Sequence, residues 1–97
     1  MVRDQTTVHY RQGEGVPPHV DGNHATLLVY LNDMEEGSGG RTIFPEAGIA
    51  SIPKRGVALL YCSRGQRLLH FAERVKAKEK WVMQLLIDHN YRVSPSR

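Results

Sequence analysis

Short apolar or alternating runs, broken by glycine and proline, dominate this chain, and no stretch of ten or more residues keeps apolar positions at i, i+3, i+4 and i+7 without a breaker. Thr6 to Tyr10 alternates and predicts a strand. Ala25 to Leu31, ATLLVYL, is nearly continuous in β-favouring residues. Arg41 to Phe44, Gly48 to Ile52, Val57 to Tyr61 and Leu68 to Phe71 predict four more short strands. Lys80 to Asp88, KWVMQLLID, predicts a long strand, with helix as the alternative. Turn signals lie between them: Gly13, Gly15, Pro17 and Pro18 ahead of His19; Asp21-Gly22-Asn23; Gly37-Ser38-Gly39-Gly40; and Pro53 to Gly56. Seven strands at such spacing predict an all-β sandwich or barrel. Ala72 to Glu79, AERVKAKE, reads as one charged helical turn or a long loop, and only the tail after Asn90 looks loose.

Length and composition narrow this further. The 97 residues make one domain (1–97, core about 6–88, tail 89–97), and Leu, Ile, Val and Phe, at 24 residues, are enough for a modest core. The longest apolar run, Ala25 to Tyr30 with Thr26 inside, is far short of the roughly 18–20 residues a bilayer requires. Cys62 is the one cysteine, which excludes an internal disulfide and any thiolate-built zinc or iron–sulfur site. On an apolar strand it reads as a small buried hydrophobe. No apolar leader opens the chain, so the default compartment is the cytoplasm, although a chain cut from a longer protein would hide an upstream signal. The net charge of +3 is mild, and its basic excess lies between Arg64 and Lys80, six Lys or Arg against two Glu. With no aromatic interleaving or recognition motif, a solvated basic face is favoured over nucleic-acid binding.

Five histidines are candidates for chemistry: His9, His19, His24, His70 and His89. His19 and Asp21 form an H-x-D pair, whose side chains share one side of an extended segment. One imidazole and one carboxylate supply two corners of a metal site. A second histidine would complete a two-histidine, one-carboxylate facial triad, suited to non-haem Fe(II). His70, after Leu68-Leu69, is the candidate third ligand. H-x-D alone also occurs by chance, and a lone histidine beside apolar residues is usually structural. His9 and His24 read as solvent-facing and His89 as structural or exposed. Asp33, Glu35 and Glu36 read as a solvated turn, since their spacing lacks a calcium-loop pattern.

The runs PHVDG, LLVYLNDMEEGSGGRTIFP, IPKRGVALLY and LLHFAERVKAKEKWV, in that order, resemble the prolyl-4-hydroxylase-like family of Fe(II)- and 2-oxoglutarate-dependent dioxygenases over roughly residues 6 to 88. The resemblance implies a double-stranded β-helix, a jelly-roll or cupin-like barrel, here a minimal core with little or no N-terminal helical buttress. It implies that His19, Asp21 and His70 bind iron, His70 opening the family's H-x-x-x-x-V segment that ends at Val75. It implies that Lys80, ten residues after His70, pairs with the distal carboxylate of 2-oxoglutarate, that the Tyr10 hydroxyl helps hold the same carboxylate, and that Thr42 of GGRTIFP is another contact to the cosubstrate. The implied reaction hydroxylates a C–H bond, that of a peptidyl proline at family level, with O2 consumed and succinate and CO2 released. Ascorbate is compatible as an auxiliary reductant. A peptide, protein or amino-acid substrate is implied.

The alternative roles are ordinary ones. Lys80 reads equally as a surface lysine, Tyr10 as a rim residue, Thr42 as a strand threonine, and Trp81 as a core, rim or pocket-wall aromatic. Arg74 stands where the family often has proline, KAKE replaces a glycine-containing turn, and GSGG is longer than the usual double glycine. The short stretch before the first strand suits a minimal enzyme, a truncated chain or a homodimer that covers an exposed sheet edge. A catalytically silent metal- and 2-oxoglutarate-binding barrel, acting as a sensor or as a fragment of a larger assembly, is the rival reading. A basic barrel that binds nucleic acid is the third.

Overall fold

A computed structural model describes residues 2–22, 25–62 and 68–87. The expectations for His24, His89, Asn23 and the C-terminal tail fall outside the described residues. Eight strands form among the described residues: β1 (Val2–Tyr10), β2 (Val16–His19), β3 (Ala25–Tyr30), β4 (Thr42–Phe44), β5 (Ile49–Ser51), β6 (Ala58–Cys62), β7 (His70–Ala72) and β8 (Lys80–Ile87). They make two four-stranded antiparallel sheets, ordered β1-β8-β3-β6 and β2-β7-β4-β5. The first four strands alternate between the sheets, and later strands pair back onto them. This is the winding of a double-stranded β-helix, as the resemblance of the motifs implies, and it agrees with the all-β sandwich or barrel that the strand spacing predicts. No helix forms among the described residues, and none is long and apolar enough to cross a membrane.

The period-two pattern of β3 explains the core. Thr26, Leu28 and Tyr30 point inward and are buried, while Ala25, Leu27 and Val29 alternate outward. Leu28, Tyr30, Phe44, Tyr61 and Val82 form the central cluster, with Val8, Tyr10, Leu59 and Leu68 against it. Lys80 to Ile87 of the ambiguous segment becomes β8, fixed between β1 and β3 by pairing on both edges. Of the AERVKAKE segment, Ala72 ends β7 and residues 73–79 form a loop with no helical turn, in which Val75 bridges to Gly39.

Three expectations change. β2, VPPH, is a strand where prolines signalled only a break. It lies at a sheet edge, where a missing N–H costs no ladder bond. β1 begins at Val2 rather than Thr6, because β8 is long enough to pair with the added residues. Cys62 is exposed, not buried: it neighbours the inward Tyr61 on edge strand β6 and so points away from the core.

Candidate functional site

The pairing of β2 with β7 sets His19 directly opposite His70. Facing residues on paired strands lie within side-chain reach, and the two imidazoles approach to 4.3 Å between ring centroids. Asp21, two residues beyond His19, brings its Oδ1 to 3.3 Å from His19 Nε2 and 3.4 Å from His70 Nε2. One ligand atom from each residue lies within 4.8 Å of the others. Cis ligands of a metal with bonds of about 2.1 Å lie about 3.0 Å apart, so the spacing is close to that of a coordination face.

The orientation of each group suits the same end. His19 Nδ1 lies 2.8 Å from the Pro17 carbonyl and His70 Nδ1 lies 3.1 Å from the Leu68 carbonyl. A carbonyl only accepts, so each Nδ1 is the donor; each neutral ring then offers its Nε2 lone pair to a metal, and only a protonated ring can donate from Nε2 to the Asp21 carboxylate. Thr26 donates its hydroxyl to Asp21 Oδ2 at 2.6 Å, leaving Oδ1 toward the two rings. Burial pushes the Asp21 carboxyl up, but the bonds from His70 and Thr26 and the nearby imidazoles outweigh it and hold it below the ordinary carboxylate value. For His70 burial pushes down, and its bonds to Asp21 and the Leu68 carbonyl prevail to raise it.

Lys80 opens β8 on the opposite sheet and is 1% exposed. Burial pulls its ammonium down to about 8, with Glu73 opposing weakly. Its Nζ sits 4.7 Å from the Tyr10 ring centroid, and β1 pairing places Tyr10 directly opposite Lys80. Burial also raises the Tyr10 phenol. Thr42 is buried on β4 and accepts a 2.7 Å bond from Tyr30 Oη, which frees its own hydroxyl hydrogen for another acceptor.

These residues share one small cavity. About 120 Å³ in volume, it is lined by His19, His70, Tyr10, Thr42 and Lys80, with Leu28, Phe71 and Val82 as apolar wall. Asp21 lies behind the two histidines. A larger open groove of about 780 Å³ touches it through Tyr10, Val16, Phe71 and Ala72 but includes none of His19, Asp21, His70 or Lys80. Trp81 lies outside the cavity, stacked on His9 with centroids 3.9 Å apart.

Sequence reasoning passed over four residues here. Tyr30 orients Thr42, and Thr26 orients Asp21. Phe44 and Tyr61 pack their rings on His70 at 5.4 and 4.8 Å. The alternation of ATLLVYL carried a signal for two of them, since it puts Thr26 and Tyr30 on one face with Leu28. The corner GSGG also has a local role. Gly39 and Gly40 both take positive φ, and a Cβ would meet the Arg74 carbonyl at 2.1 Å from Gly39 and Met34 Sδ at 2.8 Å from Gly40. A Cβ on Gly40 would also lie 3.4 Å from Lys80 Cδ, so the lysine stem runs beside this corner.

No family model matches the chain. The Arabidopsis thaliana protein named "Probable prolyl 4-hydroxylase 11" is 42% identical over 65 residues, covering 58% of this chain and 23% of that protein. A collagen prolyl hydroxylase of Paramecium Bursaria Chlorella virus-1, solved with 2-oxoglutarate, matches with a TM-score of 0.79 and 29% identity over 89% of this chain and 58% of that one. A Pseudomonas putida prolyl-4-hydroxylase shares the fold, with a TM-score of 0.75 at 16% identity over 94% of this chain and 55% of that one. The chain thus spans about a quarter of the curated relative and a little over half of each solved one.

Proposed function

We propose that this chain, prolyl-4-hydroxylase-like in both sequence and fold, is one Fe(II)- and 2-oxoglutarate-dependent dioxygenase domain over residues 1–97, with its core at about 6–88. The observation that carries the reading is the convergence of His19, His70, Tyr10, Thr42 and Lys80 on one small cavity, with Asp21 against the two imidazoles. Two neutral imidazole nitrogens and one carboxylate oxygen are a donor set that suits Fe(II), so His19, Asp21 and His70 would hold the metal.

When bound, iron with 2-oxoglutarate and O2 supplies the oxidising chemistry, one oxygen atom going to a substrate C–H and the other to succinate as CO2 leaves. The chain's own residues bind and orient. The Lys80 ammonium meets the distal carboxylate of the cosubstrate, and the Tyr10 and Thr42 hydroxyls donate to it. Leu28, Phe71 and Val82 keep water from the pocket, which strengthens that ion pair. Thr26 holds the Asp21 carboxylate in place, as the carbonyls of Pro17 and Leu68 hold the imidazoles. The substrate is a peptide, a protein or an amino acid, with peptidyl proline first among them. A catalytically silent metal- and 2-oxoglutarate-binding barrel is the second reading.

The experiment is an anaerobic titration of Fe(II) into the chain with 2-oxoglutarate, followed by addition of O2. A visible charge-transfer band saturating at one equivalent, absent in His70→Ala, is expected. Folded protein without a band would overturn the assignment of the site. A band with no succinate formed against any peptide would favour the silent barrel.

A further inference from the structure

Two polar side chains on the cavity wall, Tyr61 and Gln84, belong neither to the three candidate ligands nor to the group around Lys80. Tyr61 is the inward residue of β6 and is buried. Its ring meets Phe44 and His70 edge to face, with centroids 5.1 and 4.8 Å away. Packing on two sides fixes where the hydroxyl points. Tyr61 Oη lies 3.5 Å from His70 Nε2, the nitrogen that Asp21 Oδ1 approaches to 3.4 Å. The phenol therefore stands at the metal-facing atom of a candidate ligand and on the cavity wall at once. Gln84 lines the same cavity but takes part in none of the hydrogen bonds that His19, Asp21 and His70 make among the described residues.

We propose that the Tyr61 hydroxyl donates a hydrogen bond to the metal-end carboxylate of 2-oxoglutarate, an inference that rests on the function proposed above. A metal about 2.1 Å from Nε2 carries its other ligand oxygens about 3.0 Å from that nitrogen, near enough for Tyr61 to reach one. At 3.5 Å the hydroxyl is at the limit of a bond to Nε2, and a metal on Nε2 removes that acceptor altogether. Thr26, directly opposite on β3, is the competing acceptor, and its own hydroxyl hydrogen is held by Asp21. A charged carboxylate has the stronger claim, because a hydrogen bond to an ionised acceptor is about twice as strong as one between neutral groups. Lys80, Tyr10 and Thr42 serve the distal carboxylate only. At the metal end one carboxylate oxygen goes to the metal, and the other needs a donor in a pocket walled by Leu28, Phe71 and Val82. A neutral phenol supplies that hydrogen without adding charge beside the ligands.

Tyr61→Phe keeps the ring and deletes the hydroxyl. Two anaerobic titrations test it in both proteins: 2-oxoglutarate into the Fe(II)-loaded chain, read by the charge-transfer band, and Fe(II) alone, read by competition with a chromophoric chelator. Tyr61→Phe should raise the Kd for 2-oxoglutarate about tenfold or more and move the wavelength of the band. The Kd for Fe(II) and the far-UV spectrum should stay unchanged. An unaltered affinity and band in Tyr61→Phe would overturn the inference and leave the proposed function standing. An equal loss of Fe(II) affinity would make Tyr61 a support for His70 and overturn it as well. So would Gln84→Leu producing these changes where Tyr61→Phe does not. No band in the unmutated chain would bring down the proposed function, and this inference with it.

Discussion

Lys80 is itself almost wholly buried, and burial pulls the pKa of its ammonium group down to about 8. On the proposed reading that group has an anionic partner in the distal carboxylate of 2-oxoglutarate, which favours the charged form. Below pH 8 the lysine is already protonated and binding needs no proton. Above pH 8 the empty pocket holds the neutral amine, so binding must take up a proton. The apparent Kd should therefore be level from pH 6.5 to 7.5 and then rise, approaching tenfold per pH unit, above pH 8. Calorimetry in buffers of different ionisation enthalpy should record the proton uptake at pH 9. Lys80→Ala should weaken binding at all pH values and abolish the rise, while Lys80→Arg, which stays charged, should abolish the rise alone or with some loss of fit. An affinity level to pH 9.5 would mean that a different cation, Arg74 or Lys78, holds the carboxylate.

The loop that delivers Lys80 to β8 has a different signature. Lys78 takes φ of 68°, the one non-glycine residue with positive φ among the described residues. This is the left-handed region, which costs an L-residue about 1 kcal/mol or more and costs glycine little. KAKE stands where the family has a glycine-containing turn, and the backbone keeps the shape that glycine would accept. The Lys78 ammonium reaches Glu35 at 3.5 Å, but both side chains are exposed, so the pair contributes little. Lys78→Gly should stabilise the fold by about 0.5 kcal/mol once the greater freedom of glycine in the unfolded chain is subtracted. Denaturant melts at constant m-value would measure it, and a loss of stability would show that the ion pair outweighs the backbone strain. β2 illustrates the opposite difficulty. In VPPH, local chemistry argues against a strand, and tertiary pairing with β7 supplies one at an edge where proline is tolerated. The long alternating elements were legible because one face of each is buried. Three-residue strands such as β5 and β7 carry too few positions for alternation to mark their limits.

At the scale of the whole molecule, topology joins what the sequence keeps apart. His19 and His70 are 51 positions distant, yet face each other across one ladder, and no local pattern reveals that pairing. The place of His70 after Leu68-Leu69 makes it a candidate third ligand, and the resemblance to a known arrangement of motifs is what ties it to the H-x-D pair. The ordering groups Thr26 and Tyr30, by contrast, sit on a face that alternation did expose. The same closure that gathers these groups buries Lys80, Tyr10 and Tyr61 in one interior, and it sets how stability follows pH. Lys80 titrates near 8 when folded and near 10.5 when unfolded. Between those values the unfolded chain binds the extra proton, so stability rises with pH, by about 3 kcal/mol at most from this group. Tyr10 and Tyr61 act in the reverse sense. Burial raises both phenols, and the Asp21 carboxylate adds to the rise at Tyr61. Their contribution is whole below pH 10 and is lost as pH climbs beyond it. The ligand-free protein should thus gain stability from these groups between pH 8 and 10 and lose it above. Lys80→Met keeps the buried stem and deletes the charge, so it should be more stable than the unmutated chain at pH 7.5, with the advantage shrinking toward pH 10. Urea melts of both proteins at pH 7.5, 9 and 10 read the difference directly. A constant difference across that range would mean that the Lys80 ammonium is hydrated in the folded state and that the pocket is open to water.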